Sequence, residues 1–253
     1  MTGLALPLLP DLAALAVPLL LAYLRMQAMV LMMPVLSERL LPARVRIAVA
    51  MALAPVALAL SGAGPAAGDM TPGIFAILAA REIAVGLIIA VPVRIMAAAL
   101  HIASSALGAA GSLSQLIGTG TEAAPHPIGN LLHLAGLAVL MAAGLPLLLV
   151  EMIAQGYRIF PAGGIAISLA PMAMVGLVAR AFVVALALAS PFILGGLLYQ
   201  ALLGVVSRVM PTLPVVFIGA PAIIMLALTG LAILSPAILS GWAQAVLDAA
   251  GWP

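Results

Sequence analysis

Residues 47–64, 95–121, 123–150 and 209–247 contain no acidic residue, lysine or arginine, and most of these runs exceed the ~20 apolar residues that a helix needs to cross hydrocarbon. Backbone amides inside a bilayer find no water, so each such run must satisfy its own hydrogen bonds, which makes it helical. The rest of the chain agrees, since 66% of its 253 residues are hydrophobic, 6% are charged and mean hydropathy is +1.35. The sequence therefore reads as one all-α membrane domain with room for about six helices and short connections, and no soluble catalytic appendage.

The sparse polar chemistry narrows function further. There is no cysteine, which excludes disulfides, thiolate metal sites and cysteine nucleophiles. The nine cations are all arginine, and a pI near 9.7 in so apolar a chain reflects scarcity of charge rather than a basic surface, which argues against nucleic-acid partners. The opening MTGLALPLLPDLAALAVPLL lacks a basic n-region and carries Pro7, Pro10 and Asp11, so it is read as the mature start rather than a cleaved signal.

Proline and glycine punctuate the expected helices. Helix one is expected over about 12–33 and ends ahead of Pro34, because proline disfavours helical backbone in the residue before it. Ser37, Glu38, Arg39, Pro42, Arg44 and Arg46 then form a short connection whose three arginines assign it to the cytoplasmic side. Helix two follows to about residue 60, and helix three begins at Pro72, extends to about 105 and is expected to kink at Pro92. A fourth helix is expected over about 128–154 and a fifth over about 172–206, broken near Pro191 ahead of Gly195 and Gly196. Pro211, Pro214, Pro221 and Pro236 divide the last apolar stretch into two unequal pieces.

Between residues 107 and 130 runs LGAAGSLSQLIGTGTEAAPHPIGN, whose irregular backbone survives at membrane depth only inside protein or beside a watery cavity. This segment points to a pore or gate. Arg81, Glu82 and Arg94 lie inside an apolar helix, where a charge costs ~3 kcal/mol on insertion scales, so they are expected to face a bundle interior or a partner subunit. Arg81 and Glu82 are adjacent and point about 100° apart, so each is expected to need its own partner. Glu151 and Arg158 nominally share a face, but Gly156 is expected to end the helix between them. His126, His133 and Glu122 lack the ligand count and spacing of a metal site. Ser112 and Ser114 lack the context of a hydrolase nucleophile, and the spaced glycines match no phosphate-binding fingerprint. Met26, Met29, Met32 and Met33 recur at helical spacing, which suits flexible core packing or, on the sharper reading, a deformable lining for passing polypeptide.

The order of these elements resembles the FliR family of flagellar export-gate proteins, with injectisome relatives in the SctT group. The resemblance rests on Arg25 followed by Pro34, LPARVRIAVAMALAP at 41–55, REIAVGLIIAVPVR at 81–94, the Gly-rich segment, PAGG at 161–164, and SPFILGGLLYQALLGVVSRVMPTLPVVFIGAPAIIM at 190–225, in which Arg208, Pro211 and Pro221 punctuate the chain. It implies a non-enzymatic, multi-pass protein of the bacterial inner membrane and flagellar basal body, without cofactors. Its fold would be a bundle of long, proline-broken helical hairpins built to pack in a hetero-oligomer with FliP-like and FliQ-like subunits and other export apparatus proteins. Unfolded flagellar proteins would cross the resulting conduit, with energy supplied elsewhere. Residues 1–170 would form a FliP-like part and 172–253 a FliQ-like hairpin.

The resemblance also places a plug over 107–122, carried by Gly108, Gly111, Ser112, Ser114, Gly118, Gly120 and Glu122. It would put Arg25, Arg44, Arg46, Arg81, Glu82, Arg94 and Arg208 in contacts between helices or subunits, with breaks at Pro34, Pro42, Pro92, Pro191, Pro211 and Pro221. The sequence departs from relatives at His126-Pro127, where an Asp-Pro is usual. The alternatives are an injectisome subunit or, from another class, a small-molecule transporter with a midplane site at its broken helices. No inverted repeat supports the transporter, and intramembrane acids are nearly limited to Glu82 and Glu151.

Overall fold

The computed structural model describes residues 9–39, 41–62, 71–111, 127–164, 171–210 and 215–251. These residues form seven helices: α1 (Leu9–Met32), α2 (Ala43–Ser61), α3 (Pro72–Gly111), α4 (Pro127–Ala142), α5 (Leu145–Ile159), α6 (Pro171–Val209) and α7 (Val215–Ala250). Five are long and apolar enough to cross a membrane, or six if α4 and α5 together count as one broken span. Proline opens α3, α4 and α6 at their first residue, where its missing N–H is not needed and its fixed φ suits a helix start. Ahead of α3, Thr71 adds a cap, its Oγ1 accepting from the Ile74 amide at 3.3 Å.

Four of the prolines expected to kink or break helices lie inside continuous ones: Pro92 in α3, Pro191 in α6, and Pro221 with Pro236 in α7. A proline removes one ladder bond and displaces one carbonyl, at ~3 kcal/mol or more. In an apolar setting, unwinding the flanking turns would expose further amides, so the helix continues past the defect. Pro34 and Pro42 do bound helices, following the end of α1 and capping α2. Pro211 lies outside the described residues. The expected fourth helix is instead two, because Gly144 adopts φ 109°, a left-handed backbone that only glycine takes readily, and Pro146 follows at the start of α5. Gly156 does not end α5 but lies within it, packed against Ile89 of α3.

The chain divides into two compact units. The first comprises residues 1–94, 144–171 and 249–253, and the second 95–143 and 172–248. In the first, α2 turns an alanine stripe, Ala50, Ala54 and Ala57, inward against α1, which buries Met26, Met29, Val30 and Met33. Gly86 lets α3 approach α1 backbone to backbone, since a Cβ there would lie 2.5 Å from the Arg25 carbonyl oxygen. In the second unit, α6 and α7 run antiparallel: a Cβ on Gly219 would strike the Tyr199 hydroxyl, Gly230 lies beside Phe192, and Arg180 approaches Asp248 at 4.0 Å. Within that same unit, α3 and α4 meet where Gly129 abuts the Ser104 carbonyl and the Gly108 amide.

Candidate functional site

Three motifs far apart in sequence converge in the first unit. Arg25 stands on α1, Arg81 and Glu82 on α3, and Tyr157 on the last turns of α5. Beyond α5, Pro161–Gly164 make a tight turn in which the Gly164 amide donates to the Pro161 carbonyl at 3.3 Å. Gly163 occupies the third position with φ 75°, which a turn of this kind demands of its third residue. The PAGG motif thus bends the backbone so that the carbonyls of Phe160 and Pro161 face α1 and α3.

Those carbonyls are taken up by buried arginines. Arg25, 1% exposed, donates from Nε to Glu82 Oε2 at 2.5 Å and from Nη1 to the Phe160 carbonyl at 3.0 Å. Its guanidinium carbon lies 3.9 Å over the Tyr157 ring, within cation–π range. Arg81 donates from Nη1 to Glu82 Oε1 at 2.7 Å and from Nη2 to the Pro161 carbonyl at 2.9 Å. Adjacent Arg81 and Glu82 therefore do pair, contrary to the expectation that they face apart, because the long arginine stem reaches around the helix. Each also has the second partner expected, Pro161 for the one and Arg25 for the other.

Charge counting explains the turn. Two cations and one carboxylate leave an interior excess of one positive charge, which a low-dielectric core penalises unless dipoles oppose it. The Phe160 and Pro161 carbonyls lie just past the C-terminus of α5, where a helix carries roughly half a negative charge. Their oxygens and the Tyr157 π face supply the missing negative potential. The network is a brace joining α1, α3 and the turn after α5, in which Arg25 Nη2 and Arg81 Nε stay buried without a hydrogen-bond partner among the described residues.

A second arginine group gathers at the connection between α1 and α2. Arg46 Nη2 donates to the carbonyls of Glu38 at 2.5 Å and Leu41 at 3.1 Å, and Arg94 Nη1 donates to Ser37 Oγ at 2.7 Å. Arg39, Arg44 and Arg94 are exposed. Val35 holds φ 71° beside Pro34, an uncommon state for a β-branched residue that tightens this turn.

Other expected residues are placed as follows. Arg208 is exposed in the last turn of α6. Met26, Met29 and Met33 are at most 1% exposed, so they pack the core of the first unit and line no open passage within the chain. Gly108 and Gly111 belong to the end of α3 rather than to an irregular loop. Ser112, Ser114, Gly118, Gly120, Glu122 and His126 lie outside the described residues. His101 and His133 stack edge to face at 5.6 Å, and among the described residues no three His, Asp or Glu side chains gather as metal ligands would. Sequence reasoning missed Tyr157, Phe160 and the Arg180–Asp248 approach, although an aromatic and an arginine flanking a PAGG turn were visible in GYRIFPAGG.

The chain matches the family model described as "Bacterial export proteins, family 1" over residues 16–249. It is 29% identical over 227 residues to the flagellar biosynthetic protein FliR of Caulobacter vibrioides, with 88% of this chain and 90% of that protein covered.

Proposed function

The chain belongs to the family of bacterial export proteins, family 1, and on that premise we propose that it serves as a subunit of the flagellar type III protein export gate in the bacterial inner membrane. The near full-length match to a flagellar FliR protein carries this reading. It acts as a structural part of the export apparatus rather than as an enzyme, assembled at the flagellar basal body with FliP-like and FliQ-like subunits around a conduit for unfolded flagellar proteins. Residues 1–170 take the FliP-like role and 172–253 the FliQ-like role; the antiparallel pairing of α6 and α7 supports a hairpin there.

Helix length supports assembly. At 1.5 Å per residue α3, α6 and α7 measure roughly 60, 58 and 54 Å, against a hydrocarbon core of about 30 Å. Even a tilt of about 40° lengthens the path through the core only to about 39 Å. The surplus apolar length requires cover from protein, which sister subunits provide. The segment from 107 to 122 forms the plug of the conduit, with Gly118 and Gly120 allowing it to bend aside.

Co-expression with FliP-like and FliQ-like subunits, mild-detergent purification and native mass determination test the assignment. A stable hetero-oligomer containing this chain is expected, and a lone monomer beside an intact complex of the other two overturns it. Gly118→Val with Gly120→Val is expected to alter secretion of flagellar protein or the ion leak of the membrane, and unchanged values of both remove the gating role.

A further inference from the structure

α2 differs from the long helices. With 19 residues it measures about 28 Å, the thickness of one hydrocarbon core. It buries only the stripe Ala50, Ala54 and Ala57, and the face bordering that stripe is apolar and open: Ile47 is 42% exposed and Met51 61%. Arg44 stands one turn above Ile47 on that same face and is exposed. Arg39 is exposed on the adjoining connection, and Arg94 reaches the connection from α3 through its 2.7 Å bond to Ser37 Oγ. Arg46 is spent internally on the Glu38 and Leu41 carbonyls, which fixes the shape of the turn that carries the others. No ion pair joins Arg39, Arg44 or Arg94 to an acid among the described residues.

We propose that this corner, where Arg94 bonds Ser37 and Arg39 and Arg44 stand exposed at the head of the open apolar face of α2, binds the phosphate headgroup of an anionic phospholipid. Its acyl chains would lie along Ile47 and Met51. Three features favour lipid over an acidic protein segment. The open face matches one span rather than exceeding it, the arginines stand at its end rather than midway along it, and arginine-rich connections of this kind sit at the cytoplasmic leaflet, which carries the anionic lipid. Arginine suits the ligand because its fork takes two phosphate oxygens at once. The inference goes beyond the export reading, since it requires membrane residence but no particular cargo.

The test uses the full chain co-expressed with its sister subunits, reconstituted into nanodiscs of phosphatidylcholine alone or with phosphatidylglycerol, and native mass measurement of retained lipid. Wild type is expected to retain phosphatidylglycerol and not phosphatidylcholine. Arg39→Gln with Arg44→Gln is expected to weaken retention about thirtyfold, the joint effect of two cations at an anionic surface. Arg44→Lys, which keeps the charge, is expected to retain most of it, and Arg208→Gln to match wild type. Equal retention by wild type and the double variant, or equal retention of both lipids, overturns the proposal. Displacement of phosphatidylglycerol by millimolar inorganic phosphate also overturns it, since it would mark a general anion site. So does loss of a sister subunit from the double variant with lipid retention unchanged, which would identify the corner as a protein contact.

Discussion

Among the described residues Glu82 is the only carboxylate paired with the two buried arginines, and that asymmetry orders the effects of substitution. Glu82→Gln leaves two cations facing each other in the interior, and removing one partner of a buried ion pair costs about 3–5 kcal/mol. Arg81→Gln leaves a neutral Arg25–Glu82 pair and loses the Arg81 bonds to Glu82 and to the Pro161 carbonyl, at a cost of about 1–3 kcal/mol. Thermal unfolding in mild detergent, followed by far-UV circular dichroism, is expected to place Glu82→Gln well below Arg81→Gln; the reverse order would mean that the carboxylate does not hold the network. Arg25→Lys keeps the charge but loses the fork that reaches Glu82 and Phe160 together and the flat stack on Tyr157, so it is expected to destabilise despite its conservatism.

At the scale of elements, close approach rather than hydrophobicity decides which positions tolerate change. A Cβ on Gly86 would lie 2.5 Å from the Arg25 carbonyl oxygen and 2.9 Å from Ala28 Cβ, so Gly86→Ala forces α1 away from α3 one turn from Glu82. Overpacking of this kind costs about 1–3 kcal/mol. Gly204 in α6 has nothing within 4 Å of such a Cβ, and Gly204→Ala is expected to stabilise the isolated chain by up to about 1 kcal/mol through helix propensity. The same melting experiment checks both, and equal effects would discard the close-packing account.

The two glycines look alike in sequence, which shows where legibility ended. The apolar runs disclosed a helical membrane chain, and the arginines and glutamate within them disclosed buried polar contacts, because few charges survive in such surroundings without partners. The pairing of Arg81 with Glu82, the break at Gly144 and the carbonyls offered by the PAGG turn depend on side-chain reach and on which backbone lies opposite, and neither is written in local pattern. Proline alone does not say whether a helix ends or continues, since Pro34 and Pro42 bound helices while Pro191 and Pro221 lie inside them: its cost is local, whereas the penalty for opening a long apolar helix is spread over every amide it would expose.

For the whole molecule the question is which apolar surface meets lipid and which meets protein. Phe182, Leu186, Leu198 and Val209 are each at least 60% exposed along α6, a helix too long for the bilayer to cover. Met51 is equally exposed, on a helix that the bilayer covers fully. An amide at an exposed leucine facing lipid perturbs insertion, but at a protein interface it also removes an anchor and buries an unpaired polar group. Leu198→Gln is therefore expected to reduce co-purification of the FliP-like and FliQ-like subunits at least about tenfold, the effect of an anchor worth more than ~1 kcal/mol, while Met51→Gln leaves the complex intact. Both variants should reach the membrane in comparable amounts, which immunoblotting of membrane fractions establishes before the complexes are weighed. Were Met51→Gln to dissolve the complex and Leu198→Gln to leave it whole, the protein-facing and lipid-facing surfaces would have to be exchanged, and the lipid site at the head of α2 would fall with them.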